Sequence, residues 1–427
     1  MMFLGDSLPF ICVHLYPRLR PFKLTPYTVR IDKLEIGADS PVRIMGILNL
    51  SPESFYPKSV ATVKEDIQNL VTRMEKDGAD LIDVGGASSA PKTIYDTSDV
   101  LVEEELKRIQ SGLAAVVEVA SVPVSIDTKS SIVAETALGL GATLVNDISG
   151  LRSDPKMAEL VADSKVPIIL MGQCDDPCIG IQKSMDALKE SLSIADNVGI
   201  AKERIILDPG IGFGKPAEVD YAILRGLRRF TMWGHPVLVG ISRKAFIGEL
   251  FGLADPRDRL IGTVAATALA VSRGAKIVRA HDILEAKLAA RMGEELSISI
   301  EEKEKKVSLY GFMNEKEAEI VIEQIGTGGE IVTALSRKAV NLSFLLRNIK
   351  TPAALIIKQE MLALGGDAAY HTDVIDSKVE KTDVLVMGTP LQLDRFIDKL
   401  LRMDYFGLPK VGGTMRDLMA KREKRLR

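Results

Sequence analysis

The chain contains 427 residues, of which 46% are hydrophobic and 26% are charged, and its formal net charge at pH 7 is −3. This composition is typical of a globular protein with a sizeable core, and it excludes a chain that is disordered throughout, a collagen-like rod and a coiled-coil rod. The near balance of charge gives no general basic surface for nucleic acid, and no run of about 18 apolar residues predicts a transmembrane helix. We therefore expect two or three folded domains.

Residues 1–36 precede the first repeating unit and predict an N-terminal cap, or a short hairpin, over one end of the following domain. The apolar start carries Asp6 and His14 and lacks a basic region, which argues against a signal peptide. The three cysteines, Cys12, Cys174 and Cys178, are too few for a disulfide framework. We therefore predict a cytoplasmic protein with free thiols.

Residues 37–297 repeat one pattern, in which an apolar run is followed by a helical period. The runs are nearly continuous, which is typical of strands buried on both faces. Strands are predicted at 42–50, 81–84, 122–126, 143–145, 166–171, 205–207, 237–240 and 277–278. Helices are predicted at 63–76, 100–119, 155–163, 181–198, 218–228, 255–273 and 283–292. Eight units over about 255 residues favour an α/β fold of the (β/α)8 TIM-barrel type over a doubly wound open sheet.

The last third of the chain predicts a separate unit. The charged residues 298–306 are typical of a solvated linker. Residues 307–427 predict a smaller accessory α/β domain, with strands at 330–335 and 383–387. Its tail, residues 416–427, is strongly basic and predicts an exposed helix end.

Polar residues follow the predicted barrel strands, where active sites of such barrels lie. The candidates are Asn49, Asp127, Asn146, Asp208, Lys244, Arg279 and His281. A single Asp or Asn at this position is also typical of a helix N-cap. Convergence of many polar strand ends on one mouth instead favours a binding site. Acids and amides on one side, and cations from the last two strands, predict a ligand with a donor-rich ring and phosphate groups.

Five ordered motifs resemble those of the dihydropteroate synthases. They are MGILNLSPESF at 45–55, NDISG at 146–150, DPGIGFGK at 208–215, GISRK at 240–244 and RAHD at 279–282. The resemblance covers about residues 40–296, and the chain is similar to an archaeal-like variant with an additional C-terminal domain. It implies a (β/α)8 barrel that joins 6-hydroxymethyl-7,8-dihydropterin diphosphate to p-aminobenzoate and releases pyrophosphate, in folate biosynthesis.

The resemblance also implies a role for each motif residue. The pterin would be held by Asp127, Asn146, Asp208, Gly212, Phe213 and Lys244. Arg279 and His281 would hold the diphosphate, Asn49 would coordinate Mg2+, and the catalytic residues would be Lys244, Asp208 and Arg279. The implied partners are small-molecule substrates, without nucleic acid or membrane, and the implied assembly is a homodimer.

Two loops depart from the family pattern on the side of the amine substrate. Ala87 and Ala90 replace the usual Glu and Arg after Gly86, and residues 56–59 replace a usual Ser-Asp-Gly-Gly-like stretch. The candidate residues of these amine-side loops are Lys58, Ser88, Ser89 and Lys92. Either the amine is a ribofuranosyl-aminobenzene phosphate, as in methanopterin biosynthesis, with Lys58 or Lys92 on its extra phosphate, or the loops changed while p-aminobenzoate remained the substrate. A pterin-binding methyltransferase and a non-catalytic pterin-binding protein are the alternatives from other classes.

Overall fold

The structure is a computed structural model that describes residues 26–37, 40–52, 56, 59–87, 100–173, 178–297, 312 and 314–426. An antiparallel hairpin comes first, formed by β1 (Val29–Ile31) and β2 (Leu34–Ile36). Its buried side chains share one cluster with residues from the amino-terminal halves of the barrel strands: Val29, Ile31, Ile36, Met45, Leu81, Leu144, Ile169, Ile206, Leu238 and Ile277. The hairpin therefore closes the amino end of the barrel.

Eight parallel strands form the barrel. They are β3 (Arg43–Asn49), β4 (Leu81–Gly85), β5 (Val124–Asp127), β6 (Leu144–Asp147), β7 (Ile168–Met171), β8 (Ile205–Asp208), β9 (Leu238–Val239) and β10 (Ile277–Ala280). Their order is β8-β7-β6-β5-β4-β3-β10-β9, and a parallel bridge between Leu207 and Val237 joins β8 to the start of β9. The predicted (β/α)8 barrel is confirmed.

Helices alternate with the strands and cover the barrel. They are α1 (Lys64–Asp77), α2 (Val102–Val119), α3 (Ser131–Gly139), α4 (Pro155–Ser164), α5 (Gly180–Asn197), α6 (Ala217–Arg225), α7 (Arg228–Thr231), α8 (Ala245–Phe251), α9 (Leu260–Ser272) and α10 (Ile283–Glu295). Helix α1 buries Ile67, Val71 and Met74, one stripe at helical spacing, and ends at Gly78, whose φ of +101° suits glycine.

Helix α3 is absent from the helices predicted by sequence. Its buried residues Ser131, Val133, Ala134 and Ala137 lie close together in a short, mostly apolar segment. Such a segment lacks the polar face that reveals a helical period. Helix α4 was easier to predict, because the pair Asp154-Pro155 is a typical start of a helix in sequence. In the structure Asp154 accepts a hydrogen bond from Lys156 N as the N-cap, and Pro155 occupies the first turn.

The C-terminal region is an antiparallel sheet with helices. Its elements are α11 (Glu315–Gln324), α12 (Glu330–Ala339), β11 (Leu342–Lys350), α13 (Thr351–Ala363), β12 (Asp367–Tyr370), β13 (Lys381–Gly388), α14 (Pro390–Arg402) and α15 (Leu408–Leu426). The strand order is β11-β13-β12. Val384 and Val386 of the central strand pack in one core with Ile357 of α13 and Phe396 of α14.

The strand predicted at 330–335 is wrong, because these residues begin α12. Val332 and Ser336 are its buried residues, four positions apart, whereas Ile331 is exposed. The β-branched run therefore concealed a helical period. The strand predicted at 383–387 is confirmed as part of β13.

The basic tail belongs to α15. Met415 and Met419 are buried, and Arg422 forms two hydrogen bonds with Glu315 of α11. The tail thus contacts its own region and is not a wholly exposed end. The predicted linker, residues 298–306, lies outside the described residues. Within the described ranges, no helix is long and apolar enough to cross a membrane.

Candidate active site

The predicted site residues gather at the carboxyl end of the barrel. Asn49, Asp127 and Asp208 are the last residues of β3, β5 and β8, while Asn146 and Arg279 are next to last in β6 and β10. Since the strands are parallel, these positions share one mouth.

Arg279 joins several strand ends in one ionic cluster. Its Nε lies 2.6 Å from Asp83 Oδ2, and its Nη2 lies 2.8 Å from Asp127 Oδ2. Asn146 Nδ2 donates to the same Asp83 oxygen at 2.9 Å. Burial lowers the pKa of Arg279, but the two carboxylates outweigh burial and raise it. The cluster therefore holds a fixed positive charge among oriented acceptors.

Asp83 is a polar residue of the second barrel strand to which the sequence analysis assigns no ligand role. It is fully buried in β4, and its Oδ1 has no hydrogen-bond partner among the described residues. An unsatisfied buried carboxylate oxygen is costly in a low-dielectric interior and suits a ligand donor. The available signal was an aspartate inside an otherwise apolar strand, Leu81–Gly85.

Lys244 and the loop after β8 form the neighbouring part of the mouth. Lys244 Nζ lies 3.9 Å from the centre of the Phe213 ring and donates to the Ile211 carbonyl. Asp208 Oδ1 accepts from Gly210 N at 2.7 Å. The structure thus places Asp208, Gly212, Phe213 and Lys244 together, as the sequence predicts.

Burial controls the charges beside this loop. It lowers the pKa of Lys244 to about 7, although Asp208 and Asp220 oppose the shift. It also lowers the pKa of Lys215 to about 8 and raises the pKa of Asp220 to about 6. The pKa of Asp208 is likewise raised by burial, and Lys244 moderates it. Perturbed groups of both signs in one place are typical of a functional site.

Gly212→Ala is expected to destabilise the protein more than backbone strain alone would. Gly212 has φ +72°, and an added Cβ would lie 2.3 Å from Lys244 Cδ. Gly199 provides a matched control, because its φ is +81° and no atom lies within 4 Å of an added Cβ. Gly199→Ala should cost about 1 kcal/mol, and Gly212→Ala about 1–3 kcal/mol more. Urea unfolding measures both, and equal losses would contradict the contact with Lys244.

His281 lies in the mouth but differs electrostatically from the prediction of a cation. Burial, assisted by Arg279 and Arg243, lowers its pKa to about 3. Its Nδ1 lies 3.0 Å from Ser242 Oγ, and its ring is 4.7 Å from the Tyr56 ring, centroid to centroid. At neutral pH it therefore offers hydrogen bonding, not charge, in the ligand-free protein.

Arg243 is a second residue to which the sequence analysis assigns no ligand role, and it fixes the loops around Lys244 and His281. Its guanidinium donates to both oxygens of Asp282, at 2.7 and 2.9 Å, and to the carbonyls of Pro256 and Arg257. Its backbone adopts φ +58°, which a non-glycine residue rarely adopts. The two hydrogen bonds from Arg243 to Asp282 hold the strained loop after β9 against the loop after β10.

Asn49 meets the requirements for one ligand of Mg2+. Its Nδ2 donates to Ser59 Oγ at 2.8 Å, which orients the amide. Mg2+ prefers oxygen ligands, keeps several waters and shares substrate phosphates. Among the residues described, no group of three or more His, Cys, Asp or Glu could hold a metal. A Mg2+ ion at Asn49 would therefore need phosphate and water oxygens as its other ligands.

The amine-side candidates Lys58, Ser88, Ser89 and Lys92 lie outside the described residues. The bases of both loops are described, and Arg108 of α2 contacts them. Its Nη1 lies 3.3 Å from Ser51 Oγ and 3.2 Å from the Gly86 carbonyl. Sequence reasoning did not select this arginine, because it lies in a regular amphipathic helix.

The expectation of three free thiols is wrong, because Cys178 is disulfide-bonded. Its partner lies outside the described residues. The reduced thiols were one basis for predicting a cytoplasmic location, which stays a prediction.

Comparison with known proteins gives consistent matches to the barrel. The family model "Pterin binding enzyme" matches residues 45–281, more than half of the chain. A dihydropteroate synthase of Clostridium beijerinckii is 39% identical over 267 residues, which cover 62% of this chain and 97% of that protein. The Bacillus subtilis dihydropteroate synthase is 36% identical and is covered to 86%.

Solved structures agree with these matches. The dihydropteroate synthase of Xanthomonas albilineans with 4-aminobenzoic acid is 34% identical, with a TM-score of 0.58, and the match covers 65% of this chain and all of that one. The same enzyme in complex with 7,8-dihydropteroate has a TM-score of 0.56 and covers 64%.

Proposed function

The chain belongs to the pterin-binding enzyme family, and its sequence similarity identifies it as a dihydropteroate synthase. On this basis, we propose how its own residues carry out the reaction of that family. The reaction joins 6-hydroxymethyl-7,8-dihydropterin diphosphate to p-aminobenzoate and releases pyrophosphate, in folate biosynthesis. The observation that carries our assignment of roles is the Arg279 cluster, which brings Asp83, Asp127 and Asn146 together at the barrel mouth.

We propose that the pterin binds between this cluster and the loop after β8. Pterin ring N–H and amino groups are donors, which suit the unsatisfied Asp83 Oδ1 and the carboxylate of Asp208. Asn146 offers both donor and acceptor groups to the ring. Phe213 and Lys244, whose ammonium already lies over the Phe213 ring, would contact the face of the pterin.

The diphosphate then lies toward the end of β10. Two nitrogens of Arg279 are occupied by carboxylates, while no described residue accepts a hydrogen bond from Nη1. That nitrogen is available to a phosphate oxygen. His281 is neutral without ligand and would gain proton affinity beside a diphosphate, since opposite charge favours the protonated ring.

The chemistry requires a C–O bond to break and a C–N bond to form. The pyrophosphate takes the bonding electrons as it leaves, and Arg279 stabilises that charge. The amine nitrogen supplies the electron pair of the new bond and afterwards loses a proton to solvent or to the leaving group. A neutral aromatic amine is nucleophilic without a strong base, so positioning supplies much of the rate.

We propose Mg2+ as the cofactor, with Asn49 as its protein ligand. When bound, the ion would neutralise charge on the diphosphate. The oriented amide of Asn49 and the preference of Mg2+ for shared phosphate ligands support this assignment. Pyrophosphate release should fall on chelation and return with added Mg2+; unchanged turnover in chelator would rule the assignment out.

We expect p-aminobenzoate to be the better amine substrate. A coupled pyrophosphate assay with p-aminobenzoate and with a ribofuranosyl-aminobenzene phosphate measures kcat/KM for each. Higher kcat/KM with the phosphorylated amine would instead support the methanopterin alternative, and release with neither amine would support a non-catalytic pterin-binding protein. Methyl transfer from a methylated pterin, without any diphosphate, would support the methyltransferase alternative.

A homodimer is the assembly we propose. Large apolar side chains are exposed along α8, α9 and α10 and at the residue that follows α10: Phe251, Ile261, Leu284, Leu288, Met292 and Leu296. A patch of this kind is typical of a subunit interface. Sedimentation of the full chain at the monomer mass would contradict the proposal.

A further inference from the structure

A cavity of about 430 Å³ lies between the barrel and the C-terminal region, away from the strand ends. Helices α5 to α7 form one wall, and the start of α11 together with α15 forms the other. Four cationic side chains line it: Arg225, Arg229, Lys421 and Arg422. Ile181 and Leu418 add apolar surface.

Arg229 is the distinctive residue of this cavity. It is only 6% exposed, its Nη2 donates to Gln182 Oε1 at 3.0 Å, and its Nε has no hydrogen-bond partner. Among the described residues no carboxylate forms an ion pair with it. Burial lowers its pKa, while the more distant Glu319, Glu317 and Asp186 act in the opposite direction. A buried, unpaired guanidinium is costly unless an anion joins it.

The other cations leave the cavity positive. Arg422 is paired with Glu315, at 2.8 and 2.9 Å. Arg225 and Lys421 are exposed, and within the described part of the chain neither forms an ion pair. Three of the four cations therefore lack an acidic partner.

We propose that this cavity binds a small polyanion that carries phosphate or carboxylate groups on a compact apolar body. The guanidinium fork suits either group, and the volume suits a small organic ligand. One wall comes from α15, which lies beyond the family match at residues 45–281. The C-terminal region would thus complete a binding site that the barrel cannot form alone.

Calorimetric titration of the full chain with tripolyphosphate, and separately with citrate, tests this proposal. Lys421→Ala should weaken binding about tenfold, as expected for one charged contact, and Arg229→Met should abolish it. Lys424→Ala, one turn further along α15 and outside the cavity lining, is the control and should bind like the wild type. Any binding of tripolyphosphate at the diphosphate site is common to all four proteins, so their differences report this cavity.

The two probes distinguish the ligand chemistry, since tripolyphosphate binding points to a phosphate ligand and citrate binding to a carboxylate. Without either probe, Arg229→Met should raise Tm, because it removes an unpaired buried charge. Failure of the wild type to bind either probe, or equal affinity in Lys421→Ala and wild type, would overturn the proposal. Transferase activity does not enter these readouts, so they stand apart from the reaction at the barrel mouth.

Discussion

Arg279→Met is expected to lower kcat/KM for the pterin diphosphate by at least about 100-fold, since a charged contact to the leaving group and a buried ion-pair cluster are lost together. In the folded protein Arg279 lies 2.6 Å from Asp83 and 2.8 Å from Asp127. Removal of the guanidinium leaves two buried carboxylates without their counter-ion, which should also cost about 3–5 kcal/mol of stability. Steady-state pyrophosphate release and urea unfolding measure the two effects.

Arg273→Met is the matched control for this substitution. Arg273 precedes β10 and so lies toward the amino end of the barrel, opposite the mouth, where its Nη1 donates to the Leu224 carbonyl at 2.6 Å. The Arg273→Met protein should be less stable than the wild type, while its kcat/KM stays near the wild-type value. Asp83→Asn in the Arg279→Met background should recover part of the lost stability, because it removes one unpaired charge. Wild-type kcat/KM in Arg279→Met would refute the role of this residue.

Lys244→Met should raise KM for the pterin diphosphate by about 10- to 100-fold, the range expected for a buried charged contact. The methionine keeps an unbranched apolar side chain and removes the ammonium, which lies over the Phe213 ring and is attracted to Asp208. A fall in kcat alone, with KM unchanged, would contradict a binding role. Lys215→Met is the comparison for KM, because Lys215 Nζ donates to the Gly210 carbonyl within the loop after β8.

Lys244 also gives a pH dependence with a defined sign. Its pKa is about 7 in the folded protein and 10.5 as the reference value. Between these values the unfolded chain binds the extra proton, so the free energy of unfolding should rise as pH increases from about 7 toward 10. Lys244→Met should flatten that rise in urea unfolding at pH 7 and pH 9. A slope that is the same in both proteins would show that other groups cause it.

Much of the barrel was predictable from sequence because its strands are buried on both faces and therefore apolar throughout. An apolar run that ends in a polar residue, such as Ile205–Asp208, indicates a strand. Its polar last residue indicates the end of the strand that lies at the active-site mouth. Helix α3 was missed because its short apolar sequence has no polar face. The strand β11 was missed because its burial alternates only partly and a register shift lies between Leu346 and Ile349.

The site was predictable where motifs stand at strand ends, and not where a residue acts through three-dimensional contacts. Asp83 belongs to the cluster because Arg279 and Asn146, both distant in sequence, converge on one of its oxygens. Arg243 acts through carbonyls of a loop 13 and 14 residues away. Neither partnership has a local sequence pattern. The charge of His281 also depends on neighbours that only the fold reveals.

The barrel closes through a single bridge between Leu207 and Val237, beside the two-residue strand β9. This seam is its weakest ladder, so local opening should begin there, with the amides of β9 exchanging hydrogen faster than those of β3 or β4. Asp208 ends β8 and Lys244 lies in the loop after β9, so one of them stands on each side of the seam. A pterin bound by both residues would link the two sides of the seam. The free energy of opening the barrel would then increase when the substrate is bound.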